Sequence, residues 1–310
     1  MSSLSLVSEQ AATPRMAPEM ATGAVTLNVR DLARVSDFYQ EILGLVVQDQ
    51  VPGRVVLGAE GGVPLVTLVE TPEAAIPPRR AAGLFHMAIL LPTRADLGRW
   101  VGYMAATRTP VQGAADHLVS EAIYLSDPEG NGIEVYRDRP RHEWPHENGK
   151  LKMANAPVDF DGLLAEADSE GAAWSKAPAG TRMGHIHLNV NDLTPTLSFY
   201  DGGLGLDLMA TMPQALFVSA GGYHHHIGLN TWAAHAGPRR EPGNLGLSLA
   251  TLELPDGEAL AALTDSLAAG GIAFERPSDD LALVRDPSGN RLLFAAGRQA
   301  SSDQLALSEI

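Results

Sequence analysis

Two stretches of this chain repeat each other, and that repeat constrains the fold more than any other feature. Residues 23–45, GAVTLNVRDLARVSDFYQEILGL, are echoed by residues 184–206, GHIHLNVNDLTPTLSFYDGGLGL. Asp31-Leu32, Phe38-Tyr39 and Gly44-Leu45 return as Asp192-Leu193, Phe199-Tyr200 and Gly205-Leu206 at one constant displacement. DPEGNGIEV at 127–135 returns as DPSGNRLLF at 286–294 at almost the same displacement. Two separate echoes at nearly one offset make the halves homologous throughout. Each half must then fold alike, and 310 residues suffice for two ordinary domains.

The echoed segments have a physical reading. Val25, Leu27 and Val29 alternate with other residues, the period of a strand with one buried face. After Asp31, an N-cap residue type, Leu32, Val35, Phe38, Ile42 and Leu43 fall at helical spacing, and Gly44 is placed to end the helix. DPEGN is a tight turn, and the apolar run after it reads as another strand. Within each half a similar unit (strand, helix, about three strands) occurs twice, starting near residues 23, 83, 184 and 245. The expected class is α+β, with a disordered N-terminus over 1–20, two modules over 21–140, a proline-bearing linker over 141–182, two modules over 183–298 and a tail over 299–310. The linker is placed to cover one edge of the structure.

Composition removes several function classes. The formal charge of −15 with no basic patch argues against nucleic acid. There is no long apolar run for a membrane span and no signal-like start, and the expected location is the cytoplasm. Cysteine is absent, which excludes disulfides, thiolate zinc sites and thiol nucleophiles. Any metal must therefore be held by carboxylates and the 10 histidines.

A four-fold βαβββ unit that opens with GH-x-x-L-x-V-x-DL and closes with DP-x-GN-x-IE resembles the vicinal-oxygen-chelate superfamily, which includes glyoxalase I, fosfomycin-resistance proteins and extradiol dioxygenases. The resemblance covers about 23–140 and 183–297. HMAILLP at 86–92, DHLVSEAIYLSDPEGNGIEVY at 116–136 and SAGGYHHHIGLNTW at 219–232 are similar to its CatE-like catechol 2,3-dioxygenases. In that superfamily two units curl into one cup-shaped mixed sheet around a metal, one giving a first-strand His and its partner a first-strand His and a last-strand Glu. The first-strand positions here hold Ala24, His86, His185 and a non-His residue near Leu247, and the last-strand Glu position holds Glu134 in the second unit but Leu293 in the fourth. Pairing neighbours would leave neither cup with three ligands. The expectation is therefore that modules pair 2+3 and 1+4, gathering His86, Glu134 and His185 in one cup.

The resemblance implies an extradiol ring-cleaving dioxygenase acting on a small aromatic diol with O2 and Fe(II), with Mn(II) as the alternative metal. Two His and one carboxylate on one face of an iron leave three positions for a catecholate and O2. It further implies an acid–base histidine at His226, with His224 on the same strand face as a substrate-binding group and His225 on the other, and places Tyr124 and His117 against the substrate as catalytic groups. His187 faces the same side as His185, as its rival for the metal or as a substrate-side group, and the family spacing to Asp192 favours His185. The competing readings are a glyoxalase-like isomerase or lyase, which usually needs a fourth protein ligand, and a non-catalytic small-molecule-binding protein. A homo-oligomer through exposed sheet edges is a further option.

Overall fold

The computed structural model describes residues 14–170 and 173–297. The first module comprises β1 (Ala21–Val29), α1 (Leu32–Glu41), β2 (Val46–Val51), β3 (Arg54–Gly58) and β4 (Pro64–Glu70). The second comprises β5 (Gly83–Leu90), α2 (Arg94–Thr107), β6 (Gly113–Asp116), β7 (Ser120–Ser126) and β8 (Gly132–Asp138). A small hairpin of β9 (His146–Glu147) and β10 (Lys150–Leu151) and a helix, α3 (Phe160–Glu170), connect the halves. The third module has β11 (Arg182–Asn189), α4 (Leu193–Leu197) continued by a π turn to Gly203, β12 (Asp207–Met212), β13 (Ala215–Ser219) and β14 (Ile227–Asn230). The fourth has β15 (Gly246–Leu254), α5 (Gly257–Ala269), β16 (Phe274–Ser278), β17 (Leu281–Arg285) and β18 (Arg291–Ala296).

The strands form two eight-stranded mixed sheets, ordered β16-β17-β18-β15-β1-β4-β3-β2 and β12-β13-β14-β11-β5-β8-β7-β6. The pairing is therefore 1+4 and 2+3, as the distribution of ligands demanded. β1 joins β15 and β11 joins β5, each antiparallel through the modules' first strands. Neighbours in sequence meet through helix and turn instead. The Tyr39 hydroxyl of α1 donates to Asp127 of the DPEGN turn at 3.3 Å, and Tyr200 donates to Asp286 of DPSGN at 3.1 Å. Both tyrosines are fully buried, so each FY echo is matched to a DP-x-GN echo by a hydrogen bond the burial makes necessary. Asp31 caps α1 through the Arg34 N–H and Asp192 caps α4 through the Thr194 N–H.

Two segments are more ordered than their composition suggested. Residues 14–20, expected as part of a disordered N-terminus, lie against the third module: Met16 and Met20 are buried, and Arg15 pairs with Asp201 at 2.7 Å and Asp207 at 2.6 Å. Residues 1–13 and the tail from 298 lie outside the described residues. The connecting segment also carries structure, because Trp144 and Leu151 bury against Val119 and Tyr223, and α3 packs along α2. Its apolar residues are too widely spaced to show a period, yet Trp144, Leu151 and Leu163 are all buried. No helix among the described residues is long and apolar enough to cross a membrane.

On β7, Glu121 is 1% exposed and accepts from Arg94 Nε at 2.9 Å and Arg137 Nε at 2.7 Å. Burial alone would push its carboxyl up, but Arg94 and Arg137 hold it below the ordinary range. That stabilisation is present above the unfolded carboxylate pKa and is lost as pH falls through the folded one. Glu121→Ala should cost about 3 kcal/mol, because it leaves the buried Arg137 guanidinium without its carboxylate, while Arg94 keeps Glu166. Urea unfolding that gives a loss below about 1 kcal/mol would contradict this assignment, since such a value belongs to a surface pair.

Candidate metal centre

The site grows from the register of four adjoining strands. His185 on β11 lies opposite Ala88 on β5, Ala88 opposite Glu134 on β8, and Glu134 opposite Tyr124 on β7. Residues in one such row project from the same face. Ala88 has no bulk beyond its methyl, so His185 and Glu134 can meet across it, and His86 joins from two residues along β5. His86 Nε2 lies 3.0 Å from Glu134 Oε2 and His185 Nε2 lies 3.3 Å from the same oxygen. The three donor atoms all fall within 4.8 Å of one another, and this is the one such buried group among the described residues.

The donor set fits a divalent metal. Glu134 Oε1 is buried without a partner and His86 Nε2 meets Oε2 without hydrogen-bond geometry, a costly state that a cation held by both residues would relieve. Burial pushes the Glu134 carboxyl up, but His185 and His86 outweigh it and hold the group well below the carboxylate range. Burial lowers His185, opposed by Glu134, so its imidazole stays neutral and able to donate a lone pair. In the 1+4 sheet the matching register sets Thr251 opposite Leu293, which makes Leu249 the counterpart of His86, two residues beyond Leu247. Leu249 and Leu293 bury together in an apolar cluster.

The rival His187 has a different place. It lies opposite His86, with ring centroids 5.0 Å apart, outside the triad. Its parallel neighbour on β14 is Gly228. That pair is the internal counterpart of Ala88 and Glu134, so Gly228 occupies the position where the third module would supply a second carboxylate ligand. The His187 ring fills the space: a Cβ at residue 228 would lie 2.8 Å from His187 Cγ. Burial, with His86 and His185 close by, pushes His187 well down and keeps it neutral.

A cavity of about 370 Å³ opens over the triad. Its walls are Phe85, Val119, Met212, Phe217 and Trp232, with Met153 and Asn155 from the connecting segment. His117 and Tyr124 are both in it and joined: Tyr124 donates its hydroxyl to His117 Nε2 at 2.6 Å, and His117 Nδ1–H donates to the Ala154 carbonyl at 3.0 Å. Burial beside Glu134 raises Tyr124 well above its ordinary pKa, so it keeps its proton.

The histidine run is placed differently from its expected alternation. Residues 221–226 are not strand. Gly221 and Gly222 have φ of +60° and +67°, a turn that only glycine adopts without strain, and β14 begins at Ile227. His225 is the residue that lines the cavity, its ring centroid 4.1 Å from that of His185. His226 lies outside it, in a second cavity with Arg141, Arg182 and Tyr223. There its Nδ1 is 2.9 Å from Ser219 Oγ and accepts the Ala220 N–H, and burial beside His224 and His185 pushes its pKa down to about 3. His224 is fully buried beneath His225 and does not line the cavity. Phe85, Phe217, Trp232, Met153 and Asn155 were not singled out in sequence. The alternation of β5 could have flagged Phe85, but the others depend on tertiary placement.

Comparison with known proteins agrees with this architecture. The family model described as Glyoxalase/Bleomycin resistance protein/Dioxygenase superfamily matches residues 22–135 and 182–294, and the chain belongs to that superfamily. Its sequence is 40% identical over 277 residues to the catechol-2,3-dioxygenase of Bacillus subtilis (strain 168), covering 88% of this chain and 96% of that protein. Glyoxalase I from Zea mays has a similar fold, with a TM-score of 0.55 at 15% identity over 94% of this chain and 96% of that one. The cppA protein of Streptococcus pneumoniae TIGR4 is similar at a TM-score of 0.51 and 13% identity, over 91% of this chain and 98% of that one.

Proposed function

We propose that this protein is an extradiol dioxygenase that opens the ring of a catechol with Fe(II) and O2. The observation that carries the reading is Gly228. A glyoxalase-type centre calls for a fourth protein ligand, and the position that would supply it has no side chain and is covered by His187. With only His86, Glu134 and His185 to hold it, a metal would keep positions free for a catechol and O2. The 40% identity with a catechol-2,3-dioxygenase supports the same reaction.

His86, His185 and Glu134 would hold the iron, whose contribution when bound is the exchange of electrons between the aromatic diol and O2. The chain's own groups divide the remaining work. Phe85, Phe217 and Trp232 make an apolar slot for a flat ring. Tyr124, held by His117, presents its hydroxyl oxygen beside the metal position as a hydrogen-bond partner for a substrate oxygen. His225, in contact with His185, is the acid–base group, taking the proton of the bound hydroxyl. This role moves from His226, which shares no cavity with the triad.

The test is anaerobic loading with Fe(II), then catechol and air. Oxygen uptake with formation of the yellow ring-opened product is the expected outcome. Isomerisation of a hemithioacetal without oxygen uptake would establish the glyoxalase reading instead, and failure to take up any divalent metal would favour a non-catalytic binder. Repeating the loading with Mn(II) identifies the working metal.

A further inference from the structure

Beneath the cavity a chain of buried hydrogen bonds ends on His225, and the reaction described above uses none of its other members. Tyr136 and Tyr223 meet through their hydroxyls at 2.8 Å, and Tyr223 donates to Asp138 Oδ2 at 2.8 Å. His224 Nε2 lies 2.8 Å from Asp138 Oδ1, and His224 Nδ1 lies 2.8 Å from His225 Nδ1. Tyr136, Tyr223, His224 and His225 are all buried, so each contact must pair one donor with one acceptor.

The direction of every bond follows from one end. The Asp138 carboxylate can only accept, so Tyr223 gives it a hydroxyl proton and Tyr136 must in turn donate to the Tyr223 oxygen. For the same reason the proton on His224 sits on Nε2. Where His224 carries that single proton, its Nδ1 is bare and accepts, and the facing Nδ1 of His225 carries the hydrogen. His225 is left with a bare Nε2, the nitrogen not engaged with His224, on a ring that lines the cup. We infer that Asp138, acting through His224, is a positioning residue that fixes the tautomer of His225 so that an unprotonated Nε2 meets the substrate. The inference rests on the dioxygenase reading for its purpose but not for its geometry.

The network makes an unusual demand on substitution. In Asp138→Asn the Tyr223 hydroxyl still needs an acceptor at the Oδ2 position, so the amide oxygen stays there and the amide nitrogen faces His224. That nitrogen donates to His224 Nε2, which moves the His224 proton to Nδ1 and the His225 proton to Nε2. The near-isosteric change thus inverts both tautomers, whereas Asp138→Ala leaves His224 free to adopt either. Asp138→Asn should lower kcat about 100-fold, with KM and iron content retained, and Asp138→Ala should lower it less. Adding Tyr223→Phe to Asp138→Asn frees the amide to turn its oxygen to His224 and should restore much of the turnover. A purely structural role predicts the reverse order, with alanine the worse substitution and no rescue.

The ¹⁵N shifts of the full-length protein, labelled at histidine and loaded with diamagnetic Zn(II), read the tautomers without catalysis. The expected result is protonated Nδ1 and bare Nε2 at His225 in the native chain, exchanged in Asp138→Asn. A native His225 that carries its proton on Nε2, or an Asp138→Asn variant no slower than Asp138→Ala, would overturn the inference. Should the native enzyme leave catechol uncleaved, the functional reading fails, while the shifts still decide the tautomer.

Discussion

Replacing Glu134 by Gln should strip the centre of its metal and its activity together. Glu134 supplies the only negative charge among the three donors, since a histidine ligand offers a neutral imidazole. Its carboxylate sits 2% exposed within reach of both imidazoles. An amide of the same shape would keep the packing but turn either a hydrogen-bearing nitrogen or a weaker oxygen toward the cation. Outer partners of metal ligands are worth about 10–100-fold in affinity. Loss of the charged ligand itself should therefore exceed about 100-fold, with turnover falling in step with iron content. Iron titration against a competing chelator measures this. Full iron occupancy at unchanged affinity in Glu134→Gln would remove it from the ligand set.

The second large effect separates two adjacent histidines. His225→Ala should keep its iron and lose about 100-fold or more in kcat, the usual worth of a positioned acid–base group. His226→Ala should keep both, because its ring faces the second cavity and its pKa, pushed down to about 3, leaves it uncharged throughout the neutral range. Steady-state oxygen consumption on both iron-loaded variants decides the matter. Slow turnover in His226→Ala, with normal turnover in His225→Ala, would return the role to the residue the sequence pattern favoured.

Most of the architecture was legible in the chain. The paired echoes identify four modules, and the uneven survival of His and Glu among them leaves 2+3 and 1+4 as the pairing that assembles a metal site. Both inferences rest on regular elements, where one residue's position fixes the direction of its neighbours. The triad was legible for the same reason: His86, Glu134 and His185 all lie within strands, at positions the family motif marks. The segment 141–182 was less legible because its buried residues, such as Trp144 and Leu151, are isolated and follow no period.

The histidine run marks the boundary. Alternation put His224 and His226 on one face and His225 on the other, which assumes extended backbone. The glycine turn at 221–222 breaks that assumption and rotates the run before β14 begins, bringing His225 over the metal ligands. The significance of Gly228 likewise emerges only when the register sets it beside His187. The sequence by itself determined the modules, through periodicity and repeat, while the resemblance to the superfamily, read onto the unequal decay of that repeat, implied their pairing and the candidate ligands His86, Glu134 and His185. Only the tertiary structure decided which histidine of the run lines the cavity, what stands against Gly228, and that Asp138 contacts His224 beneath it. Those depend on turns and on contacts between strands far apart in the chain, where no local period carries the information.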